Sequence, residues 1–239
     1  MIEVQNLVKH FGPIRAVDGV SLVCQDGEVF GLLGPNGAGK TTTLRMLATM
    51  LQPVAGTARV DGHDVLREST EVRQAVGVLP ETVGLYGRLT AREQLRYFGR
   101  LYGLADAALE RRIEELLTML EMADYADRRC EGFSKGMRQK VALARALIHD
   151  PRTMILDEPT AGLDVMSARS VRDFIDRFRQ EGRCVLLSTH VMSEAERLCD
   201  RIAIIHKGKI LVQGTPDELR QRTGEENLEE AFVRLVGEE

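Results

Sequence analysis

Two groups of residues could do chemistry on a phosphate. The first is Gly34-Pro35-Asn36-Gly37-Ala38-Gly39-Lys40-Thr41, followed by Thr42, which matches G-x-x-x-x-G-K-[ST] at every fixed position. Its glycines let backbone N–H groups turn inward around a phosphate, and a helix starting at the loop adds its positive end. Lys40 has the reach and charge to meet β- and γ-phosphates, and the Thr41 hydroxyl is an oxygen ligand of the kind Mg²⁺ prefers. The second group is Asp157-Glu158, which ends the apolar run Thr153-Met154-Ile155-Leu156. In an open parallel sheet, ligands bind beyond the carboxyl ends of the strands. Asp157 would then stand beside the phosphate loop and hold a Mg²⁺ shell, and Glu158 could polarise an attacking water as general base. Alone, the acidic pair would read as a solvated turn; next to the loop it reads as the second half of a nucleotide-hydrolysing site.

These groups need elements to position them. Glu28 to Leu33 reads as a buried strand entering the loop, and Leu44, Leu47, Ala48 and Leu51 share one face of a helix leaving it. Cys184 to Ser188 and Ile202 to Ile205 are further short apolar runs, while Val171, Phe174, Ile175 and Phe178 sit at i, i+3, i+4, i+7 with Gly182 closing that helix. The alternation predicts an α/β fold with helices against a largely parallel sheet. Ile2 to Val23 and the turn at Asp61-Gly62 read as antiparallel hairpins. Thr90 to Ile148 has helical periodicity and no strand, so a helical insertion is expected there. Thr215-Pro216-Asp217-Glu218 starts another helix, with Thr at the cap, Pro at N1 and an acid at N3. The expected organisation is one domain over residues 1–215, with a core of 1–81 and 151–215 and a helical part of about 82–150. A helical tail follows over 216–239.

Composition narrows the class. The chain has 239 residues, a net charge of −4 and 44% hydrophobic residues, enough for a substantial core. Residues 217–239 hold 8 acidic and 3 basic side chains, leaving a nearly neutral body with no basic run for nucleic acid. Cys24, Cys130, Cys184 and Cys199 show neither CxxC nor metal-ligand spacing, which fits a reduced, cytoplasmic setting. No signal peptide or membrane-spanning run is visible, so a membrane function would require another chain.

Phe133-Ser134-Lys135-Gly136-Met137 stands before a helix with Met137, Val141, Ala144 and Ile148 at helical spacing, and the acidic strand follows. Here the chain resembles the ABC ATPases, P-loop nucleotide hydrolases whose LSGGQ signature occupies this place. The resemblance spans essentially the whole chain. It implies an α/β core with a parallel sheet, an antiparallel β subdomain and a helical insertion. It also implies that Gly162-Leu163-Asp164 is the D-loop, that His190 is the switch histidine, and that Phe11 stacks on adenine. Three positions depart from the pattern: Lys135 and Met137 replace a glycine and a glutamine of the signature, and Glu81 replaces the usual glutamine at the entry to the helical insertion, where it is a candidate for the Mg²⁺ shell. Ser134 and Gly136 keep the positions that meet a phosphate.

The resemblance further implies ATP and Mg²⁺ as cofactors and a head-to-tail homodimer, each ATP lying between one phosphate loop and the partner's signature. Leu85, Tyr86 and Leu89 either line a groove for a membrane permease or belong to the ordinary core. His149-Asp150-Pro151, Leu163-Asp164-Val165-Met166-Ser167 and Asn227-Leu228-Glu229-Glu230-Ala231-Phe232 are worded like the NatA-type sodium-exporter ATPases, whose permease is a separate chain. The expectation is a peripheral ATPase on the cytoplasmic face of the membrane, powering export with sodium as candidate cargo. The alternatives are export of a drug, lipid or other small molecule, and a non-transport ABC ATPase. A chromosome-maintenance ATPase would carry long coiled coils, and the family's translation factors carry two cassettes; neither feature is present. A regulator without turnover would not need Glu158 and His190.

Overall fold

The computed structural model describes residues 1–237; residues 238 and 239 of the acidic tail lie outside the described residues. The chain opens with β1 (Ile2–Phe11), β2 (Ile14–Cys24), β3 (Val29–Leu33) and α1 (Lys40–Leu47). It continues through β4 (Ala55–Val60), β5 (His63–Asp64), α2 (Ser69–Ala75) and β6 (Val76–Leu79). Three helices follow: α3 (Ala91–Leu101), α4 (Asp106–Met119) and α5 (Lys135–Leu147). Then come β7 (Thr153–Asp157), α6 (Val165–Gln180), β8 (Cys184–Thr189), α7 (Met192–Leu198), β9 (Arg201–His206) and β10 (Lys209–Gly214). The tail forms α8 (Pro216–Thr223) and α9 (Leu228–Gly237).

The central sheet has the order β10-β9-β3-β8-β7-β6. All its pairs are parallel except the β9–β10 edge. Every residue of β3, β7 and β8 is buried, which is why these strands are unbroken apolar runs: helices cover both faces of a parallel sheet. A second, antiparallel sheet runs β2-β1-β4-β5 and includes the expected hairpin at Asp61-Gly62. Where Leu51 was expected on the first helix, α1 ends at Leu47 instead. Thr49 adopts φ 58° and the Met50 N–H turns back to Arg45 O at 2.8 Å, so the chain has left the helix before Leu51.

The insertion is helical, with short 3₁₀ turns at Ala123–Tyr125 and Cys130–Gly132. Thr90 and Glu93 form a capping box that starts α3, and Thr215 and Glu218 do the same for α8. Leu95, Leu109, Ile113 and Leu116 of the insertion belong to one buried cluster with Phe174, Ile175 and Leu187. Each such side chain contributes about 2 kcal/mol of burial free energy. The opposite face of the sheet packs Phe30, Leu32 and Ile155 against α1 and the antiparallel sheet. Cys24 and Cys184 meet in that layer with their sulfurs 3.1 Å apart, and the four cysteines are free thiols. Among the described residues no helix is long and apolar enough to cross a membrane.

Candidate functional site

The phosphate loop leaves β3 at Gly34 and enters α1 at Lys40. Two of its glycines are sterically required. A Cβ on Gly34 would lie 2.3 Å from Ile205 O, and one on Gly39, whose φ is +108°, would lie 2.3 Å from Ala16 O. The loop is therefore threaded between the end of β9 and the β1–β2 hairpin. Ala38 N–H closes a turn on Pro35 O, and Gly208 N–H donates to Ala38 O. Asn36 and Gly37 form the exposed rim.

Lys40 folds back over this loop. Its ammonium donates to Gly34 O at 2.7 Å and Pro35 O at 3.2 Å, and lies 3.5 Å from Glu158 Oε1. Both side chains are only 6% exposed, so the pairing is what lets the two charges stay buried. His190, after β8, places Nδ1 2.9 Å from the same Glu158 oxygen. Thr41 donates to Asp157 Oδ1 at 3.2 Å, and Ser188 Oγ donates to that oxygen at 2.5 Å. Thr42 is half-buried at the next position of α1.

Strand order explains the convergence. β3, β8 and β7 are neighbours, with Leu33 opposite Thr189 and Asp157 opposite Ser188, so their carboxyl ends share one rim. Glu158 turns sharply there, with φ 51°, a conformation that costs a non-glycine residue about 1 kcal/mol or more. Its N–H donates to Ser188 O at 3.1 Å, and Ala161 N–H closes on its carbonyl at 3.2 Å, which fixes the turn.

The remaining expected residues lie elsewhere. Phe11 is at the tip of the β1–β2 hairpin, opposite Ile14 and 46% exposed, in the hairpin that abuts Gly39 through Ala16. Glu81 is exposed two residues beyond β6, on the same rim as Asp157. It makes no hydrogen bond or ion pair with Thr41, Asp157 or any other described residue. Ser134 caps α5, accepting from Met137 N–H at 3.2 Å. Asp164 caps α6, accepting from Met166 N–H, Ser167 N–H and the Ser167 hydroxyl at 2.7 Å. The Ser167 hydroxyl foremost, with these N–H groups, holds the Asp164 carboxyl below its usual range. Gly136 packs so closely on α6 that a Cβ would lie 2.2 Å from Ser167 Oγ. Among the described residues, no hydrogen bond joins Ser134, Gly136 or Asp164 to the phosphate loop. The phosphate-loop residues and the set Ser134, Gly136 and Asp164 are thus not hydrogen-bonded to each other among the described residues.

Ser188 and Gln139 carry no local motif that marks them, yet Ser188 orients Asp157 and Gln139 is tied to the residue after Glu158. The family model described as ABC transporter matches residues 17–161. The chain is an ABC transporter ATP-binding protein. This ABC cassette is 49% identical over 222 residues to the ABC transporter ATP-binding protein NatA of Bacillus subtilis (strain 168), covering 92% of this chain and 90% of that one. A solved ATP-binding subunit of an ABC transporter superposes with a TM-score of 0.91 at 33% identity, over 99% of both chains. A dimeric ATP-binding cassette in a post-hydrolysis state, bound to ADP and Pi, superposes at 0.82 with 25% identity, over 90% of this chain and 98% of that one. The cassette therefore binds ATP and hydrolyses it, as the energy-supplying subunit of a transporter.

Proposed function

We propose that two copies of this cassette pair head to tail and power export through a separate membrane permease, with sodium ion as cargo. The observation that carries the pairing is the separation of the two groups. The phosphate loop, Asp157, Glu158 and His190 converge on one rim, whereas Ser134 and Gly136 start α5 and share no hydrogen bond with them. A second copy brings its Ser134 hydroxyl and helix N-terminus onto the phosphates held by Lys40. Sodium rests on the name and function class of the NatA-type proteins that this chain resembles.

In the closed pair, the backbone N–H groups of the loop and Lys40 grip the phosphates, and Phe11 covers the adenine. Thr41 and Asp157 present hydroxyl and carboxylate oxygens 3.2 Å apart, a donor set that suits Mg²⁺, with Ser188 fixing the carboxylate. Glu81 would add a carboxylate to the outer side of that shell. Mg²⁺ held by these oxygens would supply charge neutralisation for the transferring phosphoryl group. Glu158 accepts a proton from the attacking water, and His190 orients that carboxylate. Asp164 and Gly136 shape the facing surface.

A groove of about 760 Å³ lies between the end of α1, β6, α3 and α5. Ala48, Met50, Val76, Phe98, Tyr102 and Arg145 are among its lining residues. Its lining includes Arg73 and no acidic side chain, so an amphipathic permease helix bearing a carboxylate fits it. Leu85 packs into the core instead, and Tyr86 reaches the groove wall through its stack on Phe98.

The deciding experiment is light scattering on Glu158→Gln protein with and without ATP. The amide keeps the shape and loses the base, so an ATP-bound dimer accumulates. A strictly monomeric variant at high concentration with saturating ATP would refute the pairing. Vesicles carrying the cassette with its permease should move radioactive sodium on addition of ATP; stimulation of ATPase by an apolar drug and not by sodium would reassign the cargo.

A further inference from the structure

Gln139 is buried at 5% exposure, in the second turn of α5. Nε2 donates to Pro159 O at 2.8 Å, and Pro159 follows Glu158. Two further contacts tie the same stretch of α5 to the loop that leaves β7. A Cβ on Gly162, whose φ is +63°, would lie 2.5 Å from Lys135 Nζ, so the Lys135 ammonium rests on the middle of that loop. Gly136 packs on Ser167, whose hydroxyl holds Asp164 at the loop's far end. Loop 158–164 is thus gripped at its start, middle and end by the first two turns of one helix.

Of the three contacts, the Gln139 hydrogen bond acts nearest the reacting carboxylate. Pro159 has a ring-fixed φ, and Glu158 is held in the left-handed region, so little backbone freedom separates Pro159 O from the Glu158 side chain. A shift of α5 pulls on Pro159 O and swings that carboxylate.

We propose that Gln139 is a positioning residue that sets the Glu158 carboxylate from the signature helix. Resting on the paired-cassette reading, this makes α5 the mechanical link between the two nucleotides: its N-terminus meets the partner's phosphates, and its Gln139 aligns the base for its own. The Lys135 contact over Gly162 keeps the loop against the helix while Gln139 does so.

The test is Gln139→Met, which keeps length and volume and removes the donor. Kinetics are measured alongside ATP titration and thermal melting. The expected result is a fall in kcat of about tenfold, the rate equivalent of one buried carbonyl left without its donor. KM for ATP should stay within twofold, and the melting temperature should remain above the assay temperature. A kcat within twofold of the parent overturns the proposal. So does a parallel change in kcat and KM, which would mark Gln139 as a packing residue for the nucleotide pocket. In a second arm, Glu158→Gln with and without Gln139→Met is tested for ATP-driven dimerisation. Both variants should dimerise. Loss only in the double variant overturns the positioning role in favour of one in closure. Failure of Glu158→Gln alone refutes the pairing, while the kcat arm still decides whether Gln139 positions Glu158.

Discussion

Lys40 cannot serve two anions equally, and Glu158 stands close enough to compete with a phosphate for it. Its ammonium is 3.5 Å from the Glu158 carboxylate with both side chains 6% exposed. Two unit charges at that separation attract by about 5 kcal/mol at an effective dielectric of 20, and by about 1 kcal/mol in water. Lys40 keeps two loop carbonyls and Glu158 keeps His190, so only part of this is forfeited when the pair opens. About 2 kcal/mol of competition remains, and Glu158→Gln should therefore bind a non-hydrolysable ATP analogue roughly 30-fold more tightly than the parent chain. Calorimetric titration of both proteins measures it. Two corollaries sharpen the test. The gain should survive 0.5 M salt, because a buried pair is screened little. The nucleotide-free variant should melt below the parent, since its buried Lys40 has lost its countercharge, and should recover more on binding. Equal affinities, or a gain that disappears in salt, would show that Glu158 does not compete with the nucleotide for Lys40.

Glu81→Gln should stay active and need more Mg²⁺ for half-maximal hydrolysis; superimposable Mg²⁺ curves would remove Glu81 from the metal shell. Gly39→Ala places a Cβ 2.3 Å from Ala16 O at φ +108°, so it should cost about 3 kcal/mol in stability or open the loop, and thermal melts with ATP titration will show which. His149→Gln should alter the pH dependence of stability. Burial holds the His149 pKa below 6.5, against the opposing hydrogen bond to Val76 O. A depressed folded value favours the fold fully above pH 6.5 and loses that contribution as pH falls from 6.5 through the folded pKa. The stability advantage of the parent over the variant, from urea unfolding, should shrink between pH 7.5 and 5.5; a constant gap would remove His149 as the titrating group.

The parts of this cassette most legible in the sequence were those whose physics is local. The phosphate loop declares itself through its glycine spacing and the strand and helix around it, and Asp157-Glu158 through the apolar run before them. The capping box at Thr215 depends on residues three apart. What was not legible depends on register between distant strands and helices. Ser188 matters because β8 pairs with β7 so that it stands opposite Asp157. Gln139 matters because α5 crosses the exit of β7. The end of α1 is hidden in the sequence because Leu51 keeps the helical period after the backbone has turned at Thr49. The groove lined by Ala48, Phe98 and Arg145 draws on elements far apart in sequence, so no local run of residues marks it.

The insertion has no interior of its own. Ile113 and Leu116 of α4 are packed in the same buried cluster as Phe174 of α6 and Leu187 of β8. The chain should therefore come apart as one cooperative unit, with amide protons on α4 and β8 exchanging through a shared opening. Damage then travels without any signalling route. A cavity cut at Ile113, far from every phosphate contact, would lower the fraction of molecules whose Lys40 loop is intact, and a cell's proteases would register the loss as scarcity of transporter.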